Sequence, residues 1–206
     1  MEINKIINQV IKIITRPKEA IKEASSQSMT RNDIIMYLAI IGIPTFIGFL
    51  VGYGFFLVPG FSFIGPALAG AVIYYVVAII GIVIFGYILN AFAPTFKSQQ
   101  NQAQALKLVA LASTPWLLAG IFYILPGWLW PLPMLAGLYG LYILYIGLPV
   151  LMGTPQDQQI VYLIIAAVIY FIIMSVIWYI TNTIVWSMAI GSALGPYYGA
   201  GLRKYW

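Results

Sequence analysis

The chain contains no cysteine and no histidine. Disulfides, thiolate nucleophiles, imidazole bases and thiolate or imidazole metal sites are therefore excluded, and cysteine usage says nothing about redox compartment. Carboxylates are scarce too. Glu2, Glu19, Glu23, Asp33 and Asp157 are the only acids, and none lies inside an apolar run. A buried carboxylate pair for proton relay, hydrolysis or hard-cation binding is thus missing. Enzymes and ion-coupled pumps lose most of their support, and neither a catalytic residue nor a cofactor or metal site is expected. Charge of either sign is only 7% of the chain, against about 25% in soluble domains. Too few charged groups exist to cover a water-facing surface.

What fills the sequence instead is apolar: 62% of the 206 residues are hydrophobic, and the mean hydropathy is +0.95. Uncharged runs long enough to cross a bilayer occur at about 34–58, 67–93, 105–126, 132–152 and 159–188. The breaks VPGFSFIGP, APTFKSQQNQAQ, PGWLWP and GTPQDQQ each carry Pro or Gly, the usual punctuation between helices. The expected fold is all-α: a polytopic membrane bundle of five transmembrane helices, preceded by a short amphipathic N-terminal helix. Three regions follow, a cytoplasmic segment 1–33, a membrane domain 34–190 and an external or interfacial tail 191–206.

Orientation follows from the basic residues. Lys5, Lys12, Arg16, Lys18, Lys22 and Arg31 precede the first span, Lys97 and Lys107 flank the loop between spans two and three, and only Arg203 and Lys204 fall on the other side. The positive-inside rule puts the N-terminus in the cytoplasm and the C-terminus outside the cell membrane. The uncharged stretch 160–202 exceeds one crossing: tilt or protrusion of the fifth helix absorbs part of it, or the helix stops near Gly191 with its tail along the outer interface, and Gly195 and Pro196 speak against a regular helix at that end. The alternative is a sixth crossing that would carry Arg203 and Lys204 inside.

In EINKIINQVIKII, residues Ile3, Ile6, Ile7, Val10, Ile11 and Ile14 recur at helical spacing, while Lys5, Asn8, Gln9, Lys12 and Arg16 take the other face. A basic amphipathic helix of this kind suits the headgroup region of an anionic inner leaflet. Packing on the spans, or on a partner's helix, is the other use for such a stripe. Membrane-surface or partner-binding roles are therefore assigned to Ile3, Lys5, Ile7, Ile11, Lys12, Ile14 and Arg16. Pro17 should open a second short helix, PKEAIKEAS. Its Glu19 and Glu23 interleave with lysines as a solvated face rather than a cation site. SSQSMT reads as a hinge, and Thr30 with Asp33 as a capping box.

The third span carries Ser113, Thr114, Pro115 and Trp116 at its centre. Pro115 cannot donate a backbone hydrogen bond and strands the carbonyl of Leu111. Thr114 is expected to fold back to that carbonyl, and Ser113 to Val109 or Ala110, giving a kinked helix. A catalytic Ser113 or Thr114 would need Lys107 turned inward as its base. Lys107 is instead expected to snorkel to the interface with Lys97. Asn90, Thr181, Asn182 and Thr183 suit hydrogen bonds between helices, and Gly48 with Gly52, or Gly137 with Gly140, allow close helix approach. Trp116, Trp128 and Trp130 read as interface anchors.

LASTPWLLAGIFYILP and GLYGLYILYIGLPVLMGTP, separated by a short turn, resemble the signature of the Yip-domain (Ypt/Rab-interacting) family, most closely its archaeal and bacterial branch. The resemblance rests on Ser113, Thr114, Pro115 and Trp116, on Leu138, Tyr139, Gly140, Leu141 and Tyr142, and on Gly147, Leu148, Pro149 and Val150. ITRPKEAIKEA ahead of the first span is similar as well. The resemblance implies a five-helix membrane domain with a cytosolic N-terminal region. Eukaryotic relatives are implicated in trafficking through small GTPases of the Rab type and other Yip-domain proteins. This chain has a much shorter N-terminal region, and of the family's Asp-Leu-Tyr-Gly-Pro element it keeps only GLYGL.

Two functions remain. One is a scaffold or adaptor that recruits or organises partners and shapes the membrane, its partners being the anionic inner leaflet, a small GTPase, a homologous membrane protein or further copies of itself; nucleic acid is not among them. The other is a transporter or lipid-handling protein for an uncharged or amphipathic substrate. A lipid-sized cavity touching Thr114 and Tyr139 would favour the second, and a tightly packed interior the first.

Overall fold

A computed structural model describes residues 3–56, 64–125, 129 and 131–202, with side chains placed up to residue 191. Among the described residues the chain is helical throughout, in the order α1 (Ile3–Thr15), α2 (Pro17–Ser26), α3 (Arg31–Ile41), α4 (Ile43–Val51), α5 (Ile64–Phe92), α6 (Gln102–Ala119), α7 (Pro131–Met152) and α8 (Gln156–Leu202). A π-helical turn, Gly52–Phe56, ends α4, and 3-10 turns Ala93–Phe96 and Gly120–Ile124 end α5 and α6. Five stretches are long and apolar enough to cross a membrane: Arg31–Phe55, Ile64–Phe96, Gln102–Ile124, Pro131–Met152 and Gln156–Gly191. The number and placement agree with the sequence. In lipid a helix satisfies its own backbone groups, so an uncharged run of this length has no competing fold.

Local signals set several boundaries. Pro17 stands at the first turn of α2. Thr30 caps α3 by accepting from the Asp33 amide, and Asp33 returns the bond to the Thr30 amide at 3.0 Å. Gly42 and Pro44 separate α3 from α4 within the first span, and Thr45, just beyond, donates to the carbonyl of Leu117 on α6.

α6 is the central span, buried on nearly every side, whereas α8 lies at the periphery with most of its apolar surface outward. Away from the N-terminal helices, α4 crosses the end of α6 so closely that a Cβ on Gly48 would run into the Gly120 carbonyl, and one on Gly52 into that of Tyr123. Phe49, Tyr53 and Tyr74 stack there, with the Trp178 ring edge-on to all three. Tyr53 also donates to Asn182 of α8 at 2.8 Å. At the other end, Asn90 on α5 donates to Gln102 on α6 at 2.9 Å.

Two expectations about the spans themselves need correction. α8 does not stop near Gly191: it continues unbroken to Leu202, through Gly195 and Pro196. No charged residue interrupts 160–202, and an unbroken helix keeps most backbone groups paired without solvent. Arg203 and Lys204 lie outside the described residues, as do Trp128 and Trp130. Trp116 is the second correction. It is no interface anchor but packs against the core, its ring 6.3 Å from that of Tyr74.

Candidate functional site: the docked N-terminal hairpin

The residues singled out from sequence fall on three helices, and the structure brings the three together. Ser113, Thr114, Pro115 and Trp116 lie on α6. Leu138, Tyr139, Gly140, Tyr142, Gly147 and Pro149 lie on α7. Ile3, Lys5, Ile7, Ile11, Lys12, Ile14 and Arg16 lie on α1 or just after it.

The α6–α7 seam comes first. A Cβ on Gly140 would collide with the Ala112 carbonyl, and one on Gly147 with the Leu108 side chain, so both glycines set how closely α7 can approach. Gly137 faces open space and takes no part. Ser113 bonds back to the Val109 carbonyl at 2.8 Å, as its position predicts. Thr114 does not reach Leu111; its hydroxyl lies 3.2 Å from the Ala110 carbonyl and 2.7 Å from the Tyr37 hydroxyl. Both the i−3 and the i−4 carbonyl are within reach of a helical hydroxyl, and Thr114 takes the i−4 one while Tyr37 ties α3 to α6 at the same point. Pro149 strands the carbonyl of Tyr145, and Gln159 from α8 donates to it at 2.7 Å.

Onto this seam dock α1 and α2. Tyr139 donates its hydroxyl to the Ile14 carbonyl at 2.9 Å, in the last turn of α1, where helical carbonyls lack partners of their own. Ile21 of α2 lies against Gly147. At the end of α2, Lys107 donates to the carbonyls of Ala24 at 2.7 Å and Gln27 at 2.6 Å, and Gln104 to that of Ser25 at 3.3 Å. A cation at the C-terminal carbonyls of a helix also opposes the helix dipole favourably. The expectation that Lys107 snorkels to the interface is therefore wrong. It is only 2% exposed, because α2 covers it and presents carbonyl oxygens.

α1 divides its isoleucines. Ile6 and Ile13 are fully buried in the bundle core, with Val10 against them. Ile3, Ile7, Ile11 and Ile14 are 39–64% exposed. Leaving them in water would forgo about 1.5–3 kcal/mol for each side chain that could be buried. Opposite them, Lys5, Asn8, Gln9 and Lys12 line an open cleft of about 670 Å3, whose other walls include Glu23, Gln27 and Asp33. Lys12 pairs with Glu23 at 2.6 Å across the hairpin, and Arg16 with Glu19 at 3.6 Å. On α7, Leu138 and Tyr142 face outward beside the hairpin's anchor, Tyr139.

Sequence reasoning missed Ile13, Gln104, Tyr37 and Gln159, and gave Lys107 the wrong role. A signal existed for two of them. Ile6 and Ile13 are seven apart, a second apolar stripe beside the first, and Lys107 is the lone lysine of a run otherwise made of Ala, Leu and Val.

The chain matches the family model of the Yip1 domain over residues 11–179. No curated protein and no solved structure matches it. The matched stretch runs from the last turn of α1 through the docked seam and well into α8, so this multi-pass membrane protein belongs to the Yip1-domain family.

Proposed function

We propose that the chain is a non-enzymatic membrane scaffold of the Yip type, which organises partners at one face of the bilayer and shapes that face. The observation that carries this reading is the bolted hairpin. Ile6 and Ile13 with the Tyr139 and Lys107 bonds hold it to the bundle, while the Ile3–Ile14 stripe and the polar cleft stay available. The lysines and arginines of residues 1–31 and Lys97 support an N-terminus in the cytoplasm, against the anionic leaflet of the cell membrane, and a C-terminus outside. Its partners on this reading are the leaflet, a small GTPase or a homologous membrane protein, and further copies of the chain.

The packing weighs against carriage of a substrate. Thr114 is sealed by Tyr37, Tyr139 is spent on α1, and the cleft beside Ser113 measures about 30 Å3, an order of magnitude below the roughly 300–1,000 Å3 of ligand pockets.

The test is cross-linking of the tagged protein in its native membranes, with and without residues 1–16, followed by mass spectrometry. A partner captured by the full chain and lost from the truncated one, whose bundle still elutes folded, is the expected result. Identical capture by both would remove the hairpin from the function.

A further inference from the structure

The depth at which α1 is held gives its exposed stripe a definite occupant. Tyr139, which grips the Ile14 carbonyl, stands six residues down α7 from Tyr145, whose carbonyl is bound by Gln159 at the polar head of α8. Six residues of helix are about 9 Å. The outward apolar side of α8 begins immediately after Gln159, with Ile160, Val161 and Ile164, and that of α7 reaches Val150, so the lipid-facing belt extends at least to the level of Gln159. The end of α1 therefore sits about 9 Å below that level, within the 5–10 Å at which interfacial helices bury their apolar faces. Leu138 and Tyr142, exposed one residue before and three after Tyr139, give α7 an outward apolar surface at the same level. From this depth α2 climbs back, past Gly147, to Lys107.

We propose that the α1–α2 hairpin is a wedge in a single leaflet: Ile11 and Ile14 lie among the acyl chains of the leaflet at the Lys97 end of the bundle, with Ile3 and Ile7 at the top of those chains, while the Lys5–Lys12 cleft opens to water. In that leaflet the molecule is two helices broader than its five spans, so it favours membranes in which that leaflet is convex. This rests on the membrane-contacting reading of α1 given above and adds its depth and its consequence for curvature.

Because the chain has no cysteine, single-cysteine variants of the full protein take one fluorophore each. Bimane on Ile7→Cys and on Gln9→Cys, in phosphatidylcholine–phosphatidylglycerol vesicles, is exposed to lipids brominated near the top of the acyl chain and to aqueous iodide. The wedge requires the Ile7 label to be quenched several-fold more by bromolipid than by iodide, and the Gln9 label to show the reverse. An Ile7 label quenched by iodide alone puts the stripe in water and overturns the proposal. A label shielded from both places it under another polypeptide and overturns it equally. Single-vesicle sorting gives the second readout. The full chain should gain density as vesicle radius falls, several-fold more steeply than Ile7→Ser/Ile11→Ser, and equal sorting would remove the curvature claim. If Ile7 lies in lipid but deleting residues 1–16 spares partner capture, the wedge stands and the recruiting role falls. If capture falls while Ile7 lies in water, the reverse holds.

Discussion

Lys107 shows how a single side chain can hold a domain in place. Its ammonium has no carboxylate among its bonded partners and is held by the carbonyls that end α2. Hydrogen bonds to a charged group contribute about 1.5–3 kcal/mol each, and removing one partner leaves the others unsatisfied. Lys107→Met, which keeps the stem and removes the charge, should therefore loosen α2 by roughly 2–3 kcal/mol. Hydrogen exchange across residues 17–27 would show it, with the α5–α6 amides unchanged. Tyr139→Phe removes one neutral bond and should cost about 1 kcal/mol, seen as faster exchange near the end of α1. The glycines of α7 divide the same way. Gly140→Ala forces α7 off the Ala112 carbonyl and should cost about 1–3 kcal/mol. Gly137→Ala meets nothing and should be neutral or stabilising by up to about 1 kcal/mol. Thermal unfolding in detergent separates the two, and equal effects would mean the seam is looser than described.

At the scale of the element, α7 and α8 act as a matched pair. Pro149 breaks the α7 ladder at Tyr145, and Gln159 repairs it from outside. Gln159→Leu should destabilise by about 1–3 kcal/mol. In the Pro149→Ala background, where the α7 amide can serve Tyr145 itself, the same change should cost clearly less. A double-mutant cycle in chemical denaturation measures that coupling, and additive effects would refute the repair. α1 is a different case, an element with three faces rather than two. One is locked in the core, one lines the cleft, and one faces outward. A helix so divided cannot rotate without burying a lysine or exposing Ile13.

For the whole molecule, the consequence is a bundle with unlike ends. The hairpin, the Lys97–Asp157 pair at 3.7 Å and the polar Asn90–Gln102 and Ser98–Thr154 bonds gather at one end. The stacked aromatics around Phe49 gather towards the other. Cysteines placed at Gln100 and at Lys5 should share one side of the native membrane. If that side is the cytoplasm, an impermeant maleimide should label both only after permeabilisation. Labelling of Gln100→Cys in intact cells would invert the orientation. α8, at 47 residues, is about 70 Å long, more than twice the roughly 30 Å of bilayer hydrocarbon.

Five spans, their limits to within a few residues except at the end of α8, and the caps at Pro17 and Thr30 follow from composition, charge placement and local motif, and the family from the resemblance of two motifs. Each of those is an interaction of the chain with lipid, with water or with its near neighbours, and such interactions are written in consecutive residues. The use of the motifs was not legible in that way. Nothing local says that Tyr139 ends α1, that Lys107 ends α2, that Gln159 serves Tyr145, or that Ile13 rather than Ile14 is buried. Those pairs lie 14 to 125 residues apart in sequence, and which donor meets which carbonyl is set only when the helices pack. Amphipathic spacing by itself allowed α1 to lie on the bilayer, on the spans or on a partner. Tertiary packing assigned one of its apolar stripes to the bundle core and left the other outward, because a helix docked by one side presents only that side to the core.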